Sequence, residues 1–300
     1  MSQIIFSHSG CADGSLAVYA AQQIYPNAKV YYYQAGTLTM EKIRDKVKDL
    51  PPDQKENITI IILDLTVQNF EDDSIKFIII DHHEWSKPPA KSVIFIHDTK
   101  YSAAVLAWNY FMKEPLPKLY EYVQDRDLFA RKLQYTNEIM SVYYLRCHKM
   151  TTKQLLENFN EEIWITQGKI LMEQRNQAIE YMVKRGIPYR FKKDVLPEQY
   201  KVLIMRGEAN LKSDAGNEAV KLGYDIGIYF EVAIESNEVW LSMRSKDNVD
   251  VQEICSHITN KSGVGGGHKR ASGATIDETT RVYSTVVNQK NWVETLFEPI

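Results

Sequence analysis

The 300-residue chain has little cysteine: Cys11, Cys147 and Cys255 are far apart and odd in number. Such a set excludes a disulfide framework and points to a reducing compartment. No stretch approaches the roughly 18 consecutive apolar residues of a membrane span. The opening residues, MSQIIFSHSG, lack the charged start and long apolar run of a secretory signal. A cytoplasmic protein with no membrane partner is expected. An excess of one charge is also missing, because 36 Lys and Arg against 39 Asp and Glu leave a net charge of −3. That balance argues against wrapping long nucleic acid by phosphate neutralisation. Short anionic substrates remain compatible, since a metal or a few arginines can supply a positive field locally. Internal repeats and low-complexity tracts are absent as well.

What is present is ordinary globular composition, 44% apolar and 25% charged, in a chain long enough for two domains. Short apolar runs alternate with helical patterns: QIIF, then 14–24, KVYYY at 29–33, 39–49, and ITIIILDL at 58–65. The runs KFIIIDHH at 76–83 and SVIFIHD at 92–98 follow. Nearly continuous Ile, Val and Phe is the pattern of strands buried on both faces of a parallel sheet. The pattern is helical after residue 100, with Pro115, Pro117, Gly186 and Pro188 as punctuation. The expected fold is α/β: an N-terminal domain (1–160) with a mainly parallel five-stranded sheet flanked by helices, a linker helix (161–190), and a smaller C-terminal α/β domain (191–300). In the last part, strands are expected at 200–205, 225–233 and 238–244, and helices at 214–221 and 250–259.

In open parallel sheets ligands collect beyond the carboxyl ends of the strands. His8 to Asp13 follow the first strand, Asp64 ends IIILDL, and Asp81, His82 and His83 end FIIIDHH. A carboxylate or imidazole at one strand end is usually turn chemistry. Three coinciding ends point instead to a metal centre. Mixed imidazole and carboxylate donors suit Mn²⁺, Mg²⁺, Co²⁺, Fe²⁺ or Zn²⁺. Two such ions about 3.5–4 Å apart are the usual means of hydrolysing phosphoesters.

HSGCADG at 8–14, the Asp of IIILDL, DHH at 81–83, YVQDRDLF at 122–129 and GGGH at 265–268 resemble, in that order, the DHH phosphoesterase family. The resemblance is to the branch with a GGGH-containing C-terminal domain, related to the RecJ superfamily and including nanoRNase-like oligoribonucleases. It implies two divalent metals, most simply manganese, with His8 on one, Asp13 on the other and Asp64 bridging. It makes His82 a further ligand oriented by Asp81, and His83 a donor or proton-transfer partner facing the phosphate. A last acidic ligand is expected from Asp125 or Asp127, with Asp125 preferred. In the C-terminal part, Gly265, Gly266, Gly267 and His268 would approach a phosphate or base, and Arg244 would bind the substrate's phosphate or terminal nucleotide.

The function so implied is hydrolysis of phosphodiester bonds in short single-stranded oligonucleotides or linear dinucleotides by a hydroxide that two metals activate, in a monomer or homodimer. Alternatives are a 3′–5′ single-strand exonuclease, a hydrolase of cyclic dinucleotides or nucleotide 3′-phosphates, an exopolyphosphatase or pyrophosphatase, and a nucleotide-binding protein without catalysis. Cys11 departs from the family pattern, which often has an aspartate there. Either its thiolate is a metal ligand or it is a small packing residue.

Overall fold

The computed structural model describes residues 2–55, 58–67, 70, 75–85, 89, 93–233, 235, 238–259, 267–276, 281–282, 285–286 and 291–300. The chain forms two compact units, Met1–Met172 and Glu173–Ile300. In the first, β1 (Gln3–His8), α1 (Ala12–Ile24), β2 (Lys29–Tyr33), α2 (Met40–Lys48) and a single turn α3 (Pro52–Lys55) precede β3 (Thr59–Leu63), β4 (Lys76–Asp81) and β5 (Ile94–His97). Helices α4 (Ala103–Phe111), α5 (Lys118–Asp127), α6 (Thr136–Arg146) and α7 (Thr152–Glu157) follow. The five strands are all parallel, in the order β2-β1-β3-β4-β5.

The central strands explain their own burial. Along β1, β3 and β4, Ile5, Ile61, Leu63, Ile78 and Ile80 face a core built with α1, α4, α5 and α6. The alternate residues Ile4, Phe6, Ile60, Ile62, Phe77 and Ile79 face a second core with α2. A strand covered on both sides is mostly apolar until it ends, so charged and imidazole groups gather at the strand ends. The expectation that SVIFIHD is buried on both faces is corrected: β5 is an edge strand and Ile94 is exposed.

The second unit begins within α8 (Glu161–Lys184). Its elements are β6 (Ile187–Phe191), β7 (Lys201–Met205), a 3₁₀ turn at Ala209–Leu211, α9 (Lys212–Lys221), β8 (Ile226–Ala233), β9 (Glu238–Ser245), α10 (Val251–Thr259), β10 (Gly267–His268) and β11 (Ala271–Ile276). A small hairpin, β12 (Arg281–Val282) with β13 (Thr285–Val286), precedes α11 (Trp292–Leu296) and β14 (Phe297–Pro299). The seven-stranded sheet is mixed, in the order β10-β11-β9-β8-β7-β6-β14. Gly186 and Pro188 flank or enter β6 rather than marking a loop, and ASGATI forms β11 against β9. The α/β class and the five-stranded parallel sheet agree with the sequence expectation.

Close helix packing in the first unit depends on Gly168 of α8. A Cβ there would lie 2.3 Å from the backbone oxygen of Glu138 in α6. Backbone cannot swing aside, so Gly168→Ala is expected to lower unfolding stability by about 1–3 kcal/mol. Equilibrium denaturant unfolding measures it, and an unchanged midpoint would show that α6 and α8 separate without cost.

Candidate metal centre

β1, β3 and β4 are adjacent, and their carboxyl ends bring His8, Asp64 and the segment Asp81–His83 together. Asp64 follows the last residue of β3 with φ +59°. Aspartate tolerates this left-handed conformation better than most residues, and non-glycine residues held there cluster at functional sites. Its N–H still donates to the Ile80 carbonyl at 3.0 Å, so the turn is anchored to β4 while the side chain leaves the ladder. Helix α1 starts at Ala12, two residues before the sequence pattern suggested, which puts Gly14 in its first turn. A Cβ on Gly14 would lie 2.9 Å from the His8 carbonyl oxygen and 3.2 Å from Asp64 Oδ2. Gly14 therefore lets α1 approach the strand ends.

The Asp64 carboxylate is 1% exposed and divides its oxygens. Oδ2 lies 3.4 Å from His8 Nδ1, and Oδ1 lies 3.4 Å from His82 Nε2 and 3.9 Å from His83 Nδ1. His82 Nε2 is also 3.3 Å from Asp127 Oδ2 and 3.7 Å from Asp13 Oδ2. Three overlapping donor sets result: His8, Cys11 and Asp64; Asp64, His82 and His83; and Asp13, His82 and Asp127, each with its donor atoms within 4.8 Å of one another. Asp64 Oδ2, His82 Nε2 and Asp127 Oδ2 are buried without a hydrogen-bond partner. Buried polar atoms are normally satisfied. Three orphans within one cluster, Asp64 Oδ2 on its His8 side and the other two on its Asp13 side, fit divalent cations chemically.

Electrostatics of the metal-free chain give the same picture. Burial and the neighbouring Asp64 and Asp127 charges push the Asp13 carboxyl up to about 8. Burial also raises Asp127. For Asp64 burial acts upward too, but the close imidazoles of His8 and His82 and the nearby His83 outweigh it and hold the group below its ordinary value. His82 is raised, with burial opposing and the close Asp64 carboxylate and the Asp13 and Asp127 charges prevailing. The Asp81 bond lifts His83 to about 9. Burial and Asp64 push the Cys11 thiol above its ordinary range. Protons thus hold a crowded anionic site together where cations would otherwise do so.

Asp81 is wholly buried, and its Oδ1 accepts from the His82 and His83 amides at 2.9 and 3.3 Å and bonds the His83 ring Nδ1 at 2.8 Å. Its Oδ2 accepts from Trp85 Nε1 at 2.6 Å. The expected support of His82 by Asp81 is therefore corrected: the ring it orients is that of His83, and it touches His82 only through the backbone. His97, the last residue of β5, places Nε2 2.7 Å from the His83 carbonyl oxygen and supports the same segment.

Asp13 accepts from the amides of Ala103 and Ala104 at 2.8 and 2.9 Å, the N-terminus of α4. The partial positive charge there favours a carboxylate. Of the two acids in DRD, Asp127 joins the cluster and Asp125 does not. Asp125 Oδ1 accepts from Lys132 N at 2.7 Å and Oδ2 from the Thr136 hydroxyl, while its carbonyl accepts from Ala130 N and Arg131 N. These bonds hold a loop in which Phe129, Arg131 and Tyr135 all have positive φ. The preference for Asp125 as last ligand is corrected for that reason. The loop borders a cavity of about 270 Å³ that shares Cys11, Asp13 and Asp127 with the cluster and is lined by Arg126, Phe129 and Arg131 as well. Trp85, the α4 amides and the loop were not singled out from sequence. DHHEW contains the tryptophan, but nothing in the sequence assigns it to Asp81.

In the second unit, Arg244 on β9 pairs with Ala271 on β11, which pairs with His268 on β10. Opposed residues of antiparallel strands share a face, so Arg244 and His268 lie in one row. His268 is exposed. The Arg244 guanidinium donates to Ser213 Oγ at 2.6 Å and to the Met243 carbonyl at 2.8 Å. Gly267 opens β10, and Gly265 and Gly266 lie outside the described residues.

Residues 200–294 match the family model of the DHHA1 domain. The C-terminal unit carries a DHHA1 domain. With DHH ending β4 in the first unit, the DHHA1 domain agrees with the resemblance drawn from the motifs. An uncharacterized protein of Acanthamoeba polyphaga mimivirus, R106, is 24% identical over 310 residues, covering 90% of this chain and 66% of that protein. This chain thus spans just under two thirds of that relative. Among solved structures, similarity is found to the pGpG-specific phosphodiesterase PggH of Vibrio cholerae, with 12% identity, 92% of this chain and 94% of that one covered, and a TM-score of 0.43. Thermus thermophilus RecJ in complex with Mn²⁺ gives 14% identity, 92% and 50% coverage, and a TM-score of 0.44. The putative family II inorganic pyrophosphatase of Methanococcus jannaschii gives 15% identity, 96% and 97% coverage, and a TM-score of 0.31. Among the described residues no helix is long and apolar enough to cross a membrane.

Two outcomes are expected. Above the ordinary carboxylate range Asp13 and Asp127, and above the ordinary imidazole range His82 and His83, keep protons in the folded metal-free chain that the unfolded chain has released, Asp13 up to about 8 and His83 up to about 9. The stability of the metal-free chain must therefore fall as pH rises through those ranges. Thermal unfolding in chelator should show a declining midpoint, and excess Mn²⁺ should flatten it; a flat profile in chelator would contradict the protonation pattern. Asp127→Asn should weaken divalent-metal binding by about tenfold or more. Asp125→Asn should instead cost about 1–3 kcal/mol of stability with metal binding kept. Calorimetric titration and denaturant unfolding separate the two.

Proposed function

We propose that the chain is a metal-dependent phosphoesterase that hydrolyses phosphodiester bonds in short oligonucleotides or linear dinucleotides. The observation that carries this reading is the Asp64 carboxylate, buried between two donor sets with one oxygen toward each. His8 and Asp64 would hold one divalent ion, and Asp13, His82, Asp127 and the other Asp64 oxygen a second, with manganese or magnesium the simplest choice. Bound divalent ions supply Lewis-acid polarisation of a phosphoryl oxygen and an acidified water.

The chain's own residues do the rest. His83 has Nδ1 tied to Asp81, which fixes the ring and leaves Nε2 as its remaining polar atom. The Asp81 carboxylate favours the charged form of the ring, which suits it to act as a proton donor or positive partner to a phosphate oxygen. Asp81 acts through His83 as a positioning residue. Arg126 and Arg131 supply positive charge, and Phe129, 78% exposed, supplies a planar apolar face in the adjoining cavity. Cations beside an aromatic ring suit a nucleotide better than bare phosphate. In this reading the first unit is the catalytic domain and the second, joined to it through α8, the substrate-binding domain. Arg244, His268 and the glycines before it would bind the substrate end.

The test is a panel of RNA and DNA from dinucleotides to long single strands, with cyclic dinucleotides, pyrophosphate and polyphosphate, assayed with Mn²⁺. Short linear substrates should turn over fastest, and Asp64→Asn should lower kcat by about a thousandfold or more, about 4 kcal/mol of barrier. Cleavage of pyrophosphate or polyphosphate alone would overturn the substrate assignment. Metal binding with no turnover on any phosphoester would overturn the enzymatic one.

A further inference from the structure

Cys11 is the N-cap residue of α1, and its side chain makes no capping hydrogen bond. Ser, Thr, Asp and Asn serve that local purpose, so helix capping does not account for a cysteine. Core packing does not account for it either. The apolar cluster on this face takes in its neighbour Ala12 and has Cys147 packed against it, while Cys11 belongs to no such cluster among the described residues. Its sulfur lies instead in one set with a His8 ring nitrogen and an Asp64 oxygen, all within 4.8 Å. On that same side Asp64 Oδ2, in a carboxylate 1% exposed, has no hydrogen-bond partner.

We propose that Cys11 is a thiolate ligand on the His8 side of Asp64, and that the two positions of the centre therefore select different metals. The inference rests on the cluster being a metal centre. The His8 side offers nitrogen, sulfur and one carboxylate oxygen, whereas the Asp13 side offers one imidazole and otherwise only carboxylates. Thiolate with imidazole favours Zn²⁺, Co²⁺ or Fe²⁺, and carboxylate oxygens favour Mn²⁺ or Mg²⁺. On binding, the S–H bond breaks, a sulfur–metal bond forms and the proton leaves to solvent. A centre of mixed occupancy, one thiophilic and one hard ion, follows.

The experiment is an anaerobic Co²⁺ titration of the full metal-free chain, read by absorption, with bound metal counted by equilibrium dialysis. A near-ultraviolet sulfur-to-cobalt charge-transfer band that develops with one of two bound ions is expected. One equivalent of Zn²⁺ should remove it, and excess Mn²⁺ should leave it in place. Cys11→Ser and Cys11→Asp should lose the band, Cys147→Ser should retain it, and Cys11→Asp should favour Zn²⁺ over Mn²⁺ about tenfold less or lower still. Two bound Co²⁺ ions with no band in the wild-type chain would overturn the thiolate ligand while leaving the metal centre intact. A band that survives Cys11→Ser would assign the sulfur elsewhere and overturn it equally. No bound Co²⁺ at all would overturn both this inference and the function on which it rests. The wild-type, Cys147→Ser and Cys255→Ser spectra decide the question even if a Cys11 variant fails to fold, because a band that both of these variants retain leaves Cys11 as its source.

Discussion

A single buried charge organises the first unit. The Asp64 carboxylate sits at the end of a strand whose five residues are all buried, and a carboxylate taken out of water costs several kcal/mol unless charge and hydrogen bonds compensate. Three imidazoles converge on it, from His8, His82 and His83. The left-handed turn at Asp64 turns its side chain toward them, and the bare α-carbon of Gly14 leaves room for helix α1 at that point. The surrounding acids then need neutralising in turn, which the α4 amides do for Asp13.

Around this charge the acidic residues divide their labour. Asp81 and Asp125 are saturated with hydrogen bonds and hold segments in place, Asp81 the His82–His83 turn and Asp125 the loop bearing Phe129 and Arg131. Asp64 and Asp127 each keep a buried oxygen without a partner. Hydrogen-bond saturation therefore distinguishes acids that shape the backbone from acids that offer lone pairs.

Much of this was legible in the sequence, for identifiable reasons. Continuous Ile runs betray buried parallel strands, and the polar residues that end them must sit at the sheet's edge, so His8, Asp64 and DHH could be grouped before any fold was known. Asp125 and Asp127 could not be told apart. Both lie near the end of α5, and which one reaches the cluster depends on the loop that Lys132 N and the Thr136 hydroxyl close onto Asp125. The Asp81–His83 pairing was missed because adjacency in DHH does not reveal which ring turns back on the aspartate. β6 was hidden by Pro188, which is commoner in turns than in strands. Edge status, as for β5, is a property of the assembled sheet and leaves no local mark.

The bonds from Asp13 to the start of α4 span ninety residues of chain. Ser102, the N-cap residue of α4, forms no capping bond of its own, so that helix borrows its cap from the loop after β1. The direction of the Asp13 carboxylate, and with it the geometry of the cluster, therefore depends on a helix that contributes no side chain to it.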